Sequence, residues 1–206
     1  WQHGAHGAPG PPERLVAVDL EPVPVTALSD FIERRGLSDV VRPRYGVDQS
    51  DRQGLAAAVD GELGGRPIDL VIDDASHILG PTTTSFETLF PRLRPGGRYL
   101  IEDWRQDIIF RDALIEQLRS GSPEERAAFA EALRAGRGGD APTTPVRPLA
   151  DLVVALVLAC ASRRVPAIES VQVSEHWTEV VRGPAELDPV AFRLSDLYHD
   201  HFGYLG

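Results

Sequence analysis

The sequence predicts an α/β fold built on a doubly wound, mostly parallel sheet of the Rossmann-like type, with a C-terminal antiparallel hairpin. Three observations predict it. Short apolar runs alternate with segments of helical spacing along most of the chain. Residues 68–73 (IDLVID) are nearly continuous in apolar character, as in parallel strands buried on both faces. Two alternating segments, 168–174 and 177–182, predict the hairpin. The length of 206 residues suits a single domain, 1–206.

The first part of the chain pairs strands with helices in order. Residues 14–20 (RLVAVDL) form an apolar run of strand length, and residues 25–36 follow with helical spacing. Residues 39–45 predict a weaker strand, which Pro43 interrupts, and this favours a place near the sheet edge. A helix over 51–63 completes the second pair.

The middle of the chain repeats this order after the strand at 68–73. A helix is expected over 81–92, opened by a proline and three threonines. The turn at 94–97 (RPGG) then leads into a strand at 98–102 (RYLIE). This strand–helix–strand unit predicts two parallel neighbours in the sheet.

The second half of the chain is more helical. Helices are expected over 107–119 and 123–135, the second announced by the letters SPEE, an N-cap followed by proline. A loop over 136–147 precedes an apolar helix at 149–163. After the hairpin, the tail 184–206 ends in an aromatic, histidine-rich phrase. The apolar helix and this tail are candidate surfaces for forming a homo-oligomer, and the sequence leaves the oligomeric state open.

Charge and composition exclude several classes of partner. The net charge is −10 and lysine is absent, so nucleic acid and anionic membranes are unfavourable partners. The longest apolar run, 152–161, is too short to span a bilayer. The single cysteine, Cys160, provides no disulfide framework, and a cytoplasmic location is expected.

Two neighbouring predicted strands end in paired acids, Asp73–Asp74 and Glu102–Asp103. Parallel neighbours lie about 5 Å apart, so up to four carboxyl groups converge at one edge of the sheet. A bound hard cation relieves their repulsion, and oxygen ligands favour Mg²⁺, Mn²⁺ or Ca²⁺ over zinc. His77 follows in the loop after the first of these strands, where it can accept a proton beside the ion.

Simpler interpretations exist for each residue alone. An acid at a strand end often caps the next helix or faces water, and a single histidine after a strand is often structural. The joint arrangement, with acids on two adjacent strands and a histidine beside them, favours a metal site with a base.

The same region resembles a known family. The run from Asp69 to Trp104 contains a DDxSH element, an SFxxLFP helix, an RPGG turn and a terminal IED. These occur together, in this order, in the macrolide sugar O-methyltransferases of the mycinamicin type and in the group labelled cephalosporin hydroxylase-like. Weaker similarity over 14–183 resembles the core of class I S-adenosylmethionine-dependent methyltransferases.

The resemblance implies a metal-dependent O-methyltransferase that moves a methyl group from S-adenosylmethionine to a hydroxyl of a small, glycosylated natural product. It implies Mg²⁺ ligands at Asp74, Glu102 and Asp103, and a base at His77.

The resemblance also implies cofactor contacts. Asp19 matches the strand-end acid that meets the ribose, with Glu21 as an alternate, and Asp48 and Gln49 match the segment bordering the adenine. Asp73 is a further cofactor candidate. A surface turn with a helix cap is the alternative for Asp48 and Gln49.

One family feature has no counterpart. The glycine-rich loop after the first strand, which receives the methionine end of the cofactor, cannot be identified, because the glycines of residues 3–10 follow no strand. We expect the first strand and this loop to lie upstream of Trp1.

Two rival functions remain open. A metal-dependent hydrolase or oxygenase could use acids and a histidine to activate water, although non-haem oxygenases use two histidines and one carboxylate. A non-catalytic scaffold could retain the sheet without binding cofactor.

Other residues favour packing over function. Trp104 could wall a substrate pocket or pack beside its strand, and Thr82–Thr84 could contact substrate or begin a helix. His199 and His201 lie among apolar residues of the tail, which favours a packed tail or a subunit contact over a second metal site.

Overall fold

A computed structural model describes residues 12–106, 108, 109, 112, 116, 119–127, 147–162 and 165–199. The chain divides into two compact units, Trp1–Pro67 and Ile68–Gly206. Within the described residues, each unit has its own sheet of hydrogen-bonded strands, with two strands in the first unit and four in the second.

The first unit contains two strand–helix pairs. Its elements are β1 (Leu15–Asp19), α1 (Thr26–Arg34), β2 (Val41–Tyr45) and α2 (Arg52–Leu63). β1 and β2 pair in parallel, with Val18 opposite Arg44. The Asp51 side chain accepts hydrogen bonds from the backbone N–H groups of Gln53 and Gly54, and this cap starts α2. Gly64, at φ 60°, ends α2 in the left-handed conformation that glycine adopts freely.

A buried ionic cluster lies in the first unit. Glu62 lies near the end of α2, and its side chain is only 4% exposed. Three arginines form ion pairs with it: Arg14 before β1, and Arg42 and Arg44 on β2. The Arg42 Nε lies 2.8 Å from Glu62 Oε2. The cluster therefore joins α2 to both strands of the unit.

The second unit begins with a parallel strand–helix–strand element. β3 (Ile68–Asp73) leads to α3 (Leu79–Leu89), and a short 3₁₀ turn (Phe90–Arg92) leads to β4 (Leu93–Glu102). β3 and β4 pair in parallel, with Asp73 opposite Ile101. The predicted pair of parallel neighbours is confirmed.

The rest of the second unit consists of a helix and the hairpin. α4 (Ala150–Ser162) precedes β5 (Ile168–Val173) and β6 (Trp177–Arg182), which pair with each other antiparallel. β6 also pairs antiparallel with β4, so the order of strands is β3-β4-β6-β5. The C-terminal antiparallel hairpin is therefore confirmed, and it extends the parallel β3–β4 pair.

Aromatic residues dominate the core between α3 and this sheet. Phe86, Phe90 and Tyr99 are fully buried, with ring centroids of Phe86 and Phe90 4.5 Å apart. Phe192 of the tail packs against both phenylalanines. Leu194, in a 3₁₀ turn of the tail, is also buried. The described part of the tail therefore packs on this core, one of the two roles predicted for it.

Two of the boundaries that differ from the prediction have a local explanation. α3 begins at Leu79, because Pro81 lies in the first turn, where a missing N–H costs no helical hydrogen bond. β4 begins at Leu93, because the predicted turn at 94–97 is an irregularity within the strand, where the register shifts against β3. Gly97 is required there, since a Cβ would lie 2.9 Å from the Arg94 carbonyl oxygen.

Several predicted segments extend outside the described residues. These are most of 107–119, residues 128–146 and the end of the tail at 200–206, with His201. The start of the helix predicted at 123 is described: Ser122 Oγ accepts from the Glu125 N–H, and the Glu125 carboxylate accepts from the Ser122 N–H. This reciprocal pair is a capping box, so the predicted N-cap is confirmed. No described helix has the length and apolar character that crossing a membrane requires.

Candidate metal and catalytic site

Three side chains of the predicted site come together in the second unit. One ligand atom each from Asp74, His77 and Asp103 lies within 4.8 Å of the other two. Asp74 directly follows β3 and Asp103 directly follows β4. Because these strands are parallel neighbours, both acids leave the sheet at the same edge. Two of the four strand-end acids that the sequence predicts to converge therefore lie beside the histidine.

The backbone at this edge adopts an uncommon conformation. His77 and Asp103 have φ angles of 53° and 48°, the left-handed region that non-glycine residues seldom occupy. Each such residue costs about 1 kcal/mol or more, and it persists where the surrounding structure holds it. Strain of this kind in two of the three cluster residues supports a functional constraint on their positions.

The loop after β4 is held by the hairpin turn between β5 and β6. The Asp103 N–H donates to the His176 carbonyl at 2.8 Å, and the Trp104 indole N–H donates to the Ser174 carbonyl at 2.9 Å. Arg105 forms an ion pair with Glu175 of the same turn. The hairpin therefore supports the unusual backbone of Asp103.

The Asp103 carboxylate also has a partner within its own loop. The Gln106 side-chain amide donates to Asp103 Oδ2 at 3.0 Å. An amide is neutral, so this hydrogen bond orients the carboxylate without cancelling its charge. The second oxygen of the carboxylate stays available to a ligand.

The three side chains differ in exposure. The Asp74 side chain is 59% exposed, and the His77 side chain is 19% exposed. His77 Nε2 lies 3.6 Å from Asp74 Oδ1, which is beyond a hydrogen bond. A solvent-borne ligand can therefore reach the acids, while the imidazole stands beside them, mostly covered.

The acids of this group have no arginine partner in the part of the chain that the structure describes. Among the described residues, no arginine forms an ion pair with Asp74, Glu102 or Asp103, and Arg105 pairs with Glu175 instead. Ligand atoms around Mg²⁺ lie about 3 to 4.2 Å apart, given metal–oxygen distances of roughly 2.1 Å. Ligand atoms within 4.8 Å of one another therefore need only small side-chain movements to hold such an ion. The donor set fits a hard cation.

Glu102 lies close by but outside this compact group. It is the last residue of β4, pairs with Trp177 of β6 and is half-buried. The side chains of consecutive strand residues point to opposite faces of a sheet. Glu102 and Asp103 can therefore bind the same ion only because the chain turns at Asp103. Its role as a metal ligand stays a prediction.

Asp73 occupies a different environment from Asp74. It is 6% exposed, and its Oδ2 accepts a hydrogen bond from the Tyr99 hydroxyl at 2.7 Å. The Tyr99 oxygen also lies 2.8 Å from Ser85 Oγ. The pKa of Tyr99 is raised well above its usual value, mainly by burial and secondly by the charge of Asp73. The phenol therefore stays protonated. The cofactor contact predicted for Asp73 stays a prediction.

The other cofactor candidates lie in the first unit, where β1 and β2 end. Asp19 Oδ1 accepts from the Glu21 N–H, and Asp48 Oδ1 accepts from the N–H and the hydroxyl of Ser50. The Ser50 hydrogen bonds lower the pKa of Asp48, so it stays ionised at neutral pH. Gln49 is half-buried. Asp19 and Asp48 are exposed at the carboxyl ends of parallel strands, where ligands bind in such sheets.

Some residues considered in the sequence have structural contacts. Thr82 is buried, and the Thr83 hydroxyl donates to the Leu79 carbonyl within α3. Trp104 is tied to the hairpin turn by its indole N–H. His199 is exposed in the tail.

Sequence reasoning missed several residues that support the site: Ser85, Tyr99, Gln106 and His176. For Tyr99 a signal was available, because it lies two residues before Ile101 and so shares the face of β4 that packs on α3. His176 contributes only its backbone carbonyl, which no pattern of side chains reveals.

Comparison with known proteins finds relatives by sequence that are named O-methyltransferases, although no family model matches the chain. A Streptomyces olivaceus 8-demethyl-8-alpha-L-rhamnosyl tetracenomycin-C 2'-O-methyltransferase is 55% identical over 57 residues, 28% of this chain and 14% of the relative. Mycinamicin VI 2''-O-methyltransferase from Micromonospora griseorubida is 62% identical over 37 residues, 18% of this chain and 9% of the relative. L-olivosyl-oleandolide 3-O-methyltransferase from Streptomyces antibioticus is 44% identical over 73 residues, 35% of this chain and 18% of the relative.

Among solved structures, the MycE methyltransferase of the mycinamycin biosynthetic pathway, determined with Mg, SAH and mycinamycin VI, has a similar fold. The TM-score is 0.51 at 23% identity, over 82% of this chain and 36% of that one. The chain thus spans well under half of the proteins it matches. The resemblance seen in the sequence is confirmed: this chain has the class I methyltransferase fold and is similar in sequence to sugar O-methyltransferases.

Proposed function

We propose that the protein is a metal-dependent O-methyltransferase, which transfers a methyl group from S-adenosylmethionine to a hydroxyl of a small, glycosylated molecule. The observation that carries the proposal is the group formed by Asp74, His77 and Asp103 at the carboxyl edge of β3 and β4. The names of the sequence relatives support this reaction over hydrolysis or oxygenation, because all three are O-methyltransferases and two name a rhamnosyl or an olivosyl compound.

Asp74 and Asp103, joined by Glu102, are the proposed ligands of Mg²⁺. Their carboxylates suit a hard cation, and in the described structure no arginine neutralises them. When bound, the ion supplies Lewis acidity that lowers the pKa of a hydroxyl it coordinates. The exposed carboxylate of Asp74 leaves the ion accessible to a sugar hydroxyl from solvent.

His77 is the proposed general base. Its Nε2 lies 3.6 Å from Asp74 Oδ1, so the imidazole borders the place where the hydroxyl binds. The substrate oxygen forms a bond to the methyl carbon while the bond from that carbon to sulfur breaks, and His77 accepts the hydroxyl proton. The sulfonium becomes a neutral thioether and the imidazole of His77 becomes positively charged, so charge and atoms balance.

Asp19, Asp48 and Gln49 are the proposed cofactor contacts. Asp19 stands at the end of β1, where an acid can accept hydrogen bonds from both ribose hydroxyls. Asp48 and Gln49 follow β2 at the same end of the first unit's sheet. Asp48 already accepts two hydrogen bonds from Ser50, so its contribution to the cofactor is through the ordered turn that it forms.

Calorimetry of the intact protein with S-adenosylhomocysteine, with and without Mg²⁺, tests the proposal. Wild type is expected to release binding heat with the cofactor product and to bind Mg²⁺, and Asp74→Asn is expected to lose the metal while retaining the cofactor product. Asp69→Asn is the matched control, since Asp69 is an exposed acid on the same strand that pairs with Arg94. Absence of heat from wild type in both conditions would remove the proposed function.

A further inference from the structure

We propose that Ser85, Tyr99 and Asp73 form a positioning device for the metal site, a buried hydrogen-bond chain that fixes the ends of β3 and β4 relative to each other. The inference rests on the proposed function, because the site it serves is the group of Asp74, His77 and Asp103. It assigns Asp73 a role in holding the site, in place of the contact with the cofactor that the sequence suggested.

The hydrogen-bond chain is short, continuous and closed to solvent. Tyr99 OH lies 2.7 Å from Asp73 Oδ2 and 2.8 Å from Ser85 Oγ. Tyr99 is fully buried, Ser85 is 4% exposed and Asp73 is 6% exposed. Phe86 packs against the Tyr99 ring edge-on, with centroids 5.1 Å apart. The phenol therefore has one well-defined position.

The hydrogen bonds in this chain have a single direction. The Tyr99 hydroxyl has one hydrogen, and it donates this hydrogen to Asp73 Oδ2. The phenol oxygen then accepts, and the Ser85 hydroxyl donates to it. A buried carboxylate is costly unless it receives hydrogen bonds, so this arrangement strongly favours one placement of the end of β3.

The hydrogen-bond chain links the two strands that carry the proposed ligands. Val71 lies opposite Tyr99 and Asp73 lies opposite Ile101, so Asp73 and Tyr99 share the face of the sheet that packs on α3. The Tyr99 side chain extends along this face and reaches Asp73 on the neighbouring strand. Asp74 is the next residue after Asp73, and Asp103 directly follows the strand that holds Tyr99.

Accurate placement of these strand ends matters because metal affinity depends on ligand geometry. The Asp74 side chain is largely exposed. Its backbone is joined directly to that of Asp73, which the hydrogen bond from Tyr99 holds in place. Removing a residue that orients a metal ligand typically weakens metal affinity by roughly 10- to 100-fold, and an effect of this order is expected here.

The test measures Mn²⁺ affinity by calorimetry and unfolding by urea for the intact wild type, Tyr99→Phe, Ser85→Ala and Thr178→Val. Thr178→Val is the matched control. Thr178 is fully buried on β6 opposite Ile101, on the same face of the sheet, and its hydroxyl has no hydrogen-bond partner in the described structure. The control therefore removes a buried hydroxyl from the same core without touching the hydrogen-bond chain.

We expect Tyr99→Phe to weaken Mn²⁺ binding by about tenfold or more and Ser85→Ala to weaken it less, with the affinity of Thr178→Val within about twofold of wild type. Ser85→Ala serves if Tyr99→Phe does not fold. Equal Mn²⁺ affinities in all four folded proteins would show that the hydrogen-bond chain contributes only to stability and would overturn the inference.

Further outcomes separate this inference from the proposed function. If Tyr99→Phe weakens S-adenosylhomocysteine binding at unchanged Mn²⁺ affinity, Asp73 serves the cofactor and the positioning role is wrong. If wild type binds no Mn²⁺, the proposed metal site fails and this inference fails with it. If wild type and Tyr99→Phe bind Mn²⁺ alike while Asp74→Asn does not, the proposed function stands and only the positioning role falls.

Discussion

The two units of this chain each gather charged side chains, but with opposite balance. In the first unit one carboxylate, Glu62, faces three arginines that pair with it from β2 and from the residue before β1. In the second unit Asp74 and Asp103 converge with His77, and no described arginine pairs with them. Among the described residues, the first cluster has arginine partners for its carboxylate and the second has none for its two carboxylates.

This difference separates a structural cluster from a ligand site. A buried charge is tolerated where partners within the chain offset the cost of its desolvation, as they do around Glu62. Converging carboxylates without such partners repel each other, and a cation from solvent removes that repulsion. The strained backbone of His77 and Asp103 is found only in the second cluster among the described non-glycine residues. The comparison supports a structural role for the first cluster and the proposed metal-binding role for the second.

The largest expected effect concerns His77. His77→Ala removes the proposed base and should lower the rate of methyl transfer by roughly 10²- to 10⁴-fold, the usual contribution of general-base catalysis. Stability should change little, because the His77 side chain lies at the edge of the sheet and outside the aromatic core. Single-turnover kinetics measures the rate, and urea unfolding provides the control. Transfer within about fivefold of wild type would show that His77 is not the base.

Removal of the metal is the next largest effect. A ligand that binds only the native state at about a hundred times its Kd raises the free energy of unfolding by about 2.7 kcal/mol. Mg²⁺ at that level should therefore stabilise wild type against heat, and EDTA should reverse the effect. Asp103→Asn should lack this response. A variant that is stabilised by Mg²⁺ as strongly as wild type would contradict the assignment of Asp103.

Glu62 is expected to behave in the opposite way. Glu62→Gln leaves three arginines facing one another without their carboxylate. It should destabilise the protein by about 2 kcal/mol, less than the cost of breaking a fully buried pair, because the arginines are partly exposed. The midpoint of urea unfolding measures this loss. Metal affinity should be unchanged, and a fall in metal affinity would break the distinction between the two clusters.

A carboxylate outside both clusters, that of Asp188, gives the smallest expected effect. Asp188 has its pKa lowered by hydrogen bonds from the backbone N–H groups of Val190 and Ala191. Because the folded pKa lies below the unfolded one, its contribution to stability is present above the unfolded pKa and is lost as the pH falls through the folded value. Asp188→Ala should therefore be slightly less stable than wild type at neutral pH, with the difference vanishing once the pH is below the folded pKa. A difference that persists at acid pH would exclude the carboxylate as its cause.

Much of the fold could be predicted because periodicity is a local property. The apolar run at β3 and the alternation in β5 and β6 are visible in the sequence itself, and the observed strands agree with them to within one residue. The convergence of Asp74 with Asp103 could also be predicted, since it requires only that consecutive parallel strands pair. The left-handed backbone of Asp103 could not, because it depends on a hydrogen bond to His176, distant in sequence.

Two other features depend on tertiary contacts in the same way. Glu62 looks like an ordinary helix residue, and its three arginines come from two other segments. Asp73 and Asp74 are adjacent and chemically alike, yet one is buried under Tyr99 and the other is exposed. Alternation along a strand predicts that they point apart, but only the packing of α3 decides which one is covered.

The most direct test of the metal site is a titration of Mn²⁺ followed by electron paramagnetic resonance, in wild type, Asp74→Asn, Asp103→Asn and Glu62→Gln. We predict that wild type and Glu62→Gln bind Mn²⁺ alike, and that both aspartate variants lose about tenfold or more in affinity. Mn²⁺ binding that survives unchanged in both aspartate variants, or that Glu62→Gln weakens as much as they do, would contradict the assignment of Asp74 and Asp103 as metal ligands.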